Sequence, residues 1–364
     1  MTTASNFHTA MAVTFLISGA ARAQSVVAWG IGAGDCVASP NAGQCQVPPR
    51  TQGVSRMASG FEPVLALTGN GSVRCWGNNE FGQCDVPEGA TPALEIACGD
   101  YHSLALTNSG SVIEWGIPWA QTPQFGEPVR HIACGGAFSL ALSASGSVFC
   151  WGYDSDGQCQ VPVNIGTVTQ LAGGSGHALA LRTDGSVIGW GSNSNGETAI
   201  PADLSNVVQV DAGGGFSAAL IEGGTVRAWG YRWDPSGNDS PPDLQDVKQI
   251  SCGSGHTLAL LNSGHVQGWG NPFECALRVP GALAGVRPGI LRVEAGTFFS
   301  LAIAEWECPG DLDQNLHVDS SDLSIALLNF GLNDEQVTGD VDGNIEVDAG
   351  DIALIILSFG TCVD

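Results

Sequence analysis

The chain has 364 residues, 12 Lys plus Arg against 36 Asp plus Glu, and a formal charge of −24, with Lys248 its only lysine. Phosphate backbones are held by cationic side chains, so this balance argues against a nucleic-acid partner.

In chain order, residues 1–23 read as a signal peptide. Ala10 to Ile17 form a short apolar stretch, and Ala21-Arg22-Ala23 fits a small-x-small cleavage pattern before Gln24. The alternative is a flexible apolar tail, since no Lys or Arg precedes Ala10. Later apolar runs all fall short of the roughly 20 residues that cross a bilayer, so no transmembrane segment is expected and the chain is expected to be secreted or cell-surface associated.

Residues 24–306 are a repeat region. "CGDYHSLALTNSGSVIEWG" (98–116) recurs as "CGGAFSLALSASGSVFCWG" (134–152), "GGSGHALALRTDGSVIGWG" (173–191) and "CGSGHTLALLNSGHVQGWG" (252–270), with looser copies at 59–77 and 212–230. The Trp of each Trp-Gly pair falls at 76, 115, 151, 190, 229 and 269, a period of 36 to 40 residues that marks a solenoid, propeller or array. Within a copy, alternating apolar residues flank a Gly-containing turn such as Ser109-Gly110, which predicts a β-hairpin.

The ends of this region complement each other. "SVVAWG" (25–30) is a second half without a first, and "AGTFFSLAIAEW" (295–306) is a first half without a second. Joined, they make seven whole units, and closing the ring removes unpaired strand edges. The expected fold is an all-β seven-bladed propeller whose last blade is completed by the N-terminal strand. The repeated "CGxxHSLALxxxGxVxxWG" closely resembles the repeat of the regulator of chromosome condensation family. That resemblance implies the propeller, on which relatives perform nucleotide exchange on a nuclear GTPase, β-lactamase inhibition or other binding tasks; fold alone does not choose among them.

Cys36/Cys45, Cys75/Cys84 and Cys150/Cys159 share a separation of nine in equivalent loops, which predicts three local disulfides and an oxidising compartment. Cys98, Cys134 and Cys252 instead occupy one repeat position that elsewhere holds Ser, Gly or Ala, a small buried niche. His102, His177 and His256 alternate at one position with Pro63, Phe138, Phe216 and Phe299, which reads as packing rather than catalysis. No nucleophile elbow, paired carboxylates or phosphate-cradling loop stands out, so no enzyme is expected. Trp119, Tyr153, Tyr231 and Trp233 lie outside the framework pattern, in loops after Trp-Gly pairs, and together they predict an aromatic rim for a protein partner or a sugar. Each ring covering its own loop is the competing reading.

Residues 307–364 change character, with 12 acids after Glu307 and no Lys or Arg. "GDLDQNLHVDSSDLSIALLNFG" returns as "GDVDGNIEVDAGDIALIILSFG" 29 residues later. Loop positions 1, 3, 5, 9 and 12 carry Asp311, Asp313, Asn315, Asp319 and Asp322, then Asp340, Asp342, Asn344, Asp348 and Asp351, and position 7 offers the carbonyl of His317 or Glu346. Calcium takes such rings of hard oxygens, so two Ca2+ sites are expected. The pair resembles a dockerin, which implies a small α-helical calcium-binding domain and a cohesin-like scaffold partner. Leu316 and Ile345 replace the glycine preferred at position 6, and Gln314 stands where the second copy has Gly343, which weakens the expected affinity, more so in the first loop. Cys308 and Cys362 flank the module, placed to staple its ends. The expectation is an extracellular, non-enzymatic interaction propeller on a calcium-binding module, with a role in a polysaccharide-degrading assembly as the alternative.

Overall fold

The computed structural model describes residues 23–30, 43–48, 51, 53–231, 244–271, 275–277, 279–280, 289–306, 317–318, 320, 323–325 and 360–361. Two compact units separate, Ala23–Trp306 and one holding Met1–Arg22 with Glu307–Cys362. Among the described residues of the second unit, His317–Val318 pairs with Gly360–Thr361. Residues 1–22 of the signal segment, Cys36, Trp233, Cys308, Cys362 and all the expected calcium ligands except His317 lie outside the described residues, whereas Ala23, expected to end the signal segment, begins a strand.

The first unit is a ring of seven three-stranded antiparallel sheets, as the repeats require. Blade 1 comprises Val54–Ser59, Pro63–Thr68 and Val73–Gly77; blade 2 Ala93–Cys98, His102–Thr107 and Val112–Gly116; blade 3 Val129–Cys134, Phe138–Ser143 and Val148–Gly152. Blade 4 comprises Val168–Gly173, His177–Arg182 and Val187–Gly191; blade 5 Val207–Ala212, Phe216–Ile221 and Thr225–Gly230; blade 6 Val247–Cys252, His256–Leu261 and Val266–Gly270. Blade 7 joins the two ends of the repeat region: Gly289–Ala295 and Phe299–Trp306 take Ala23–Gly30 as their third strand, in register from Ala23↔Trp306 to Gly30↔Phe299. Apolar cores lie between blades rather than within them. At the closing seam Val26, Phe299, Leu301 and Ile303 of blade 7 pack with Val54, Met57, Val64 and Trp76 of blade 1.

Every blade carries a bulge near the start of its first strand, at Ser55, Leu94, Arg130, Thr169, Val208, Lys248 and Leu291. The bulged residue is exposed in each case, and a bulge re-aims the side chain that follows it. In blades 4, 5 and 6 that side chain is a glutamine, which offers one donor and one acceptor to a peptide of the next blade. Gln170 bonds both N–H and C=O of Val210 at 3.0 Å, Gln209 those of Ile250 at 3.0 and 2.8 Å, and Gln249 those of Val293 at 3.2 and 2.9 Å. Each bond is worth about 1 kcal/mol net. Blades 2 and 3 share the task between two residues. Glu95 accepts from Ile132 N–H at 3.0 Å, while His131 contacts Glu95 through Nδ1 at 2.9 Å and the Leu171 carbonyl through Nε2 at 3.2 Å. Both partners of His131 only accept, so the ring carries two protons. Burial opposes that charge, but the hydrogen bond and charge of Glu95 outweigh it and raise the His131 pKa.

Framework tryptophans stitch the outer part of the ring. The indole N–H of Trp76, Trp115, Trp190 and Trp229 donates to the carbonyl of Gln44, Gln83, Gln158 and Glu197, each 32 residues earlier, at 2.8 to 2.9 Å. Trp29 reaches Ala276 O in the same way at 2.8 Å. Histidines stitch deeper: Nε2 of His102, His177 and His256 lies 2.9 to 3.0 Å from Ser139, Ser217 and Ser300 Oγ of the next blade. Those hydroxyls donate their one proton onward, to Glu114, Glu197 O and Ala276 O, so each histidine donates to its serine through Nε2. Burial accordingly lowers the pKa of His102 and His177 to about 4. These are scaffold groups, in keeping with their exchange for phenylalanine.

Cys75–Cys84 and Cys150–Cys159 are disulfides. Cys98 and Cys252 are buried thiols in the small-residue niche, and burial pushes Cys98 up to about 12.

First strands from all seven blades enclose a central channel of 380 Å³. At its closing seam Glu294 of blade 7 accepts from the backbone N–H and hydroxyl of Ser59 in blade 1, at 3.2 and 3.3 Å. Burial, with the charge of Asp211 behind it, raises the Glu294 carboxyl from 4.5 to about 8, against the opposing pull of Ser59 and Arg292. A carboxyl whose folded pKa is raised stabilises the fold below its unfolded pKa and loses that contribution as pH rises through the folded value. Urea unfolding should therefore show stability falling between about pH 4.5 and about 8 more steeply in the parent than in Glu294→Gln. Parallel pH profiles would remove Glu294 from the seam's energetics.

Candidate functional site

One face of the ring gathers the turns that join first to second strands and the loops that follow each Trp-Gly pair. The turns are tight because each packs a ring against a glycine. A Cβ on Gly99 would lie 2.2 Å from His102 Cε1, and one on Gly135 2.0 Å from Phe138 Cε1. Backbone bonds link successive turns around the channel mouth: Asp100 N to Gly136 O at 2.9 Å, Gly136 N to Gly174 O at 3.1 Å, Ser175 N to Gly213 O at 3.2 Å and Gly214 N to Ser254 O at 3.1 Å. This collar is hydrogen-bonded from turn to turn, and what varies is the side chains it presents. Blades 4 to 6 offer Ser175-Gly176, Gly214-Gly215 and Ser254-Gly255, whereas blades 7, 1 and 2 offer Phe298, Phe61 and Tyr101.

The outer loops share an internal scaffold. In the loop after blade 1, Gln83 Oε1 accepts from Phe81 N at 2.9 Å and Asn79 Oδ1 from Cys84 N at 2.8 Å, within the span closed by Cys75–Cys84. After blade 3, Gln158 and Asp154 do the same for Asp156 and Cys159 at 2.9 and 2.8 Å. The loop after blade 2 departs from this plan, and its sequence, "IPWAQTPQFGEP", has no such glutamine and cysteine pair. Trp151 there donates instead to the Glu114 side chain at 2.9 Å. This divergent loop carries Trp119.

The result is a continuous aromatic arc over blades 7, 1, 2 and 3. Ring centroids run from Phe298 to Phe61 at 5.7 Å, Phe61 to Tyr101 at 6.4 Å, Tyr101 to Trp119 at 6.3 Å and Trp119 to Tyr153 at 6.5 Å, with Phe81 branching from Tyr101 at 5.3 Å. Phe81, Trp119 and Tyr153 are 44%, 37% and 51% exposed. Of the four rim residues expected from sequence, Trp119 and Tyr153 therefore come together. Tyr231, 45% exposed, follows the Trp-Gly pair of blade 5, with blade 4 between it and Tyr153. Phe61, Phe81, Tyr101 and Phe298 were not anticipated. Their signal was present in "SGF", "NEFGQ", "CGDY" and "GTFF", aromatic residues at turn positions where other copies carry Gly, Ser or Asp.

Described Lys and Arg residues other than Arg227 stand toward one face, whereas carboxylates occur on both. The loops and turns on the arc side hold Glu80, Asp85, Asp100, Asp154 and Asp156, and among the described residues they contain no Lys or Arg. Burial raises the Asp100 carboxyl to about 6 beside the arc. Arg56, Arg130, Lys248 and Arg292 stand near the starts of first strands, Arg74 near the start of a third and Arg182 at the end of a second, all toward the opposite face. The arrangement offers adjacent exposed rings, nearby carboxylates and a polar channel mouth, with the buried histidines committed to the scaffold.

Five segments, 54–83, 94–117, 129–158, 168–197 and 247–274, match the regulator of chromosome condensation (RCC1) repeat. Among solved structures, human WBSCR16 is similar at 20% identity and a TM-score of 0.60, covering 78% of this chain and 99% of that one. Prp20p from Saccharomyces cerevisiae is similar at 19% identity and a TM-score of 0.63, covering 78% and 92%. The CRINKLY WD40 ectodomain of the Arabidopsis thaliana receptor kinase ACR4 is similar at 22% identity and a TM-score of 0.51, covering 60% and 81%. No curated protein matches the chain in sequence.

A surface role for the arc makes its rings dispensable for folding. Trp119→Ala and Tyr153→Ala should each change unfolding free energy by about 0.5 kcal/mol or less, as exposed substitutions do. Trp115→Ala, which empties a buried framework position, should cost about 3–5 kcal/mol. Equal losses at Trp119 and Trp115 in urea unfolding would make the arc loop packing.

Proposed function

Because five segments of its propeller match the regulator of chromosome condensation repeat, we propose that this chain is a secreted, non-enzymatic protein-interaction propeller. The aromatic arc seats the partner, and a dockerin-like module in residues 307–364 binds two calcium ions and supplies a second attachment. The observation that carries the reading is the arc itself, contiguous rings over four blades with three of them substantially exposed. Monomeric surfaces seldom gather apolar rings in this way without a partner to cover them. Prp20p, a similar propeller, is described with binding properties to Gsp1p and histones, and the yeast protein is also found bound to Kap60. Secretion is supported by the apolar N-terminal stretch and by two disulfides, which persist in oxidising compartments. Calcium is supported by the donor set, two copies of five hard-oxygen side chains at the spacing of a calcium loop.

Capture of protein from the medium of the producing cells separates the two attachments. Trp119→Ala with Tyr153→Ala should remove partners held by the propeller whether or not calcium is present. Asp351→Ala, or chelation, should remove only partners held by the C-terminal module. Capture that survives the ring substitutions undiminished would refute the arc as the seat; capture indifferent to Asp351→Ala and chelator alike would refute the calcium-dependent attachment.

A further inference from the structure

We propose that the arc binds an extended, cationic polypeptide segment of the partner, with Arg or Lys at alternate positions. The inference rests on the interaction reading above and deepens it by naming the partner's chemistry.

Spacing is the first argument. Successive rings along the arc are 5.7, 6.4, 6.3 and 6.5 Å apart. A β-extended chain rises about 3.3 Å per residue, so side chains on one of its faces recur every 6.6 Å or so. An extended strand following the arc thus matches the ring-to-ring spacing with every second residue.

Ring attitude is the second. Neighbouring planes are tilted by 40° to 83°. They form a ribbed track rather than a flat shelf, and a pyranose stacks on a flat shelf. At these distances the rings pack edge to face, leaving ridges along which an alkyl stem can lie, and a cation within about 6 Å of a ring centroid is attracted to its face.

The third argument is charge complementarity. Asp100 follows the collar beside Tyr101, Glu80 and Asp85 flank Phe81, and Asp154 and Asp156 follow Tyr153. Described Lys and Arg residues other than Arg227, which pairs with Asp203 at 3.6 Å, stand toward the opposite face. A partner strand carrying cations meets carboxylates beside Tyr101, Phe81 and Tyr153 and no like charge among the described residues; an acidic strand meets only repulsion.

The test uses the full chain and two labelled twelve-residue peptides of equal charge and composition, one alternating Arg and Ser, the other with six Arg followed by six Ser. Fluorescence anisotropy should show the alternating peptide binding about tenfold tighter. Trp119→Ala with Tyr153→Ala, its melting confirmed near the parent's, should abolish that preference. Asp100→Asn should weaken the alternating peptide several-fold, and added salt should weaken both. Equal affinity for the two peptides, or a preference that survives the ring substitutions, means bulk attraction to an acidic chain and overturns the proposal. Binding of cellohexaose that depends on Trp119 and Tyr153, with neither peptide competing, overturns it in favour of a sugar platform. If native capture is lost with the two rings while both peptides fail to bind, this inference falls and the interaction reading stands.

Discussion

Everything else in the propeller depends on how its circle closes. A linear array of these blades would leave the first strand of blade 1 and the last strand of the series each facing solvent, with an exposed apolar flank between them. Here Ala23–Gly30 pairs along its whole length with Phe299–Trp306, and the core formed by Val26, Phe299, Leu301 and Ile303 abuts Val54, Val64 and Trp76. Trp29, 3% exposed, reaches forward to Ala276 O exactly where other blades send their framework tryptophans, so the composite blade obeys the same plan as the continuous ones. Polar closure is different. Where Gln170, Gln209 and Gln249 make bidentate bridges elsewhere, blade 7 has Arg292, and Glu294 two residues on makes the connection to Ser59.

A closed scaffold of this kind frees its loops to vary. Tryptophan, histidine and glutamine stitches run from blade to blade through backbone carbonyls or small hydroxyls, so they demand little of the residues that cap each blade. The loop after blade 2 illustrates the freedom. It lacks the loop carbonyl that Trp115, Trp190 and Trp229 find at Gln83, Gln158 and Glu197, and Glu114 substitutes its own carboxylate for Trp151. With the stitch satisfied from within the strand, residues 117–128 are released to carry Trp119 into contact with Tyr101 and Tyr153. Binding surface and framework are thus separable in this ring.

Much of the fold was legible in the sequence because its signals are periodic: the hairpin of each copy, the Trp-Gly mark, the two complementary half-repeats and the equal spacing of Cys75/Cys84 and Cys150/Cys159. The His/Phe alternation at 102, 138, 177, 216, 256 and 299 was legible as packing for the same reason. The bulges at Leu94 and Val208 were not, because a one-residue slip in register leaves no trace in an alternating pattern. Hidden with them were the glutamine bridges and the doubly protonated His131, whose partners Glu95 and Leu171 lie 36 and 40 residues away. At the site, Trp119 and Tyr153 stood out as departures from the framework, whereas Phe61, Tyr101 and Phe298 were disguised as turn residues of the repeat. Only the ring geometry brings those turns side by side. Trp233 and nearly all of the calcium loops fall outside the described residues, and their reading rests on spacing alone.

The central claim is that closure by the N-terminal strand couples all seven blades into one cooperative unit, whereas an open array would communicate only between neighbours. Native-state hydrogen exchange on Trp29→Ala tests it most directly, with the amide of Leu179 in blade 4 as the remote reporter. Emptying the buried Trp29 site should lower global stability by about 3–5 kcal/mol, and protection at Leu179 should fall by the same amount as protection at Leu301 in blade 7. Fraying confined to blade 7, with Leu179 protected as in the parent, would contradict the account.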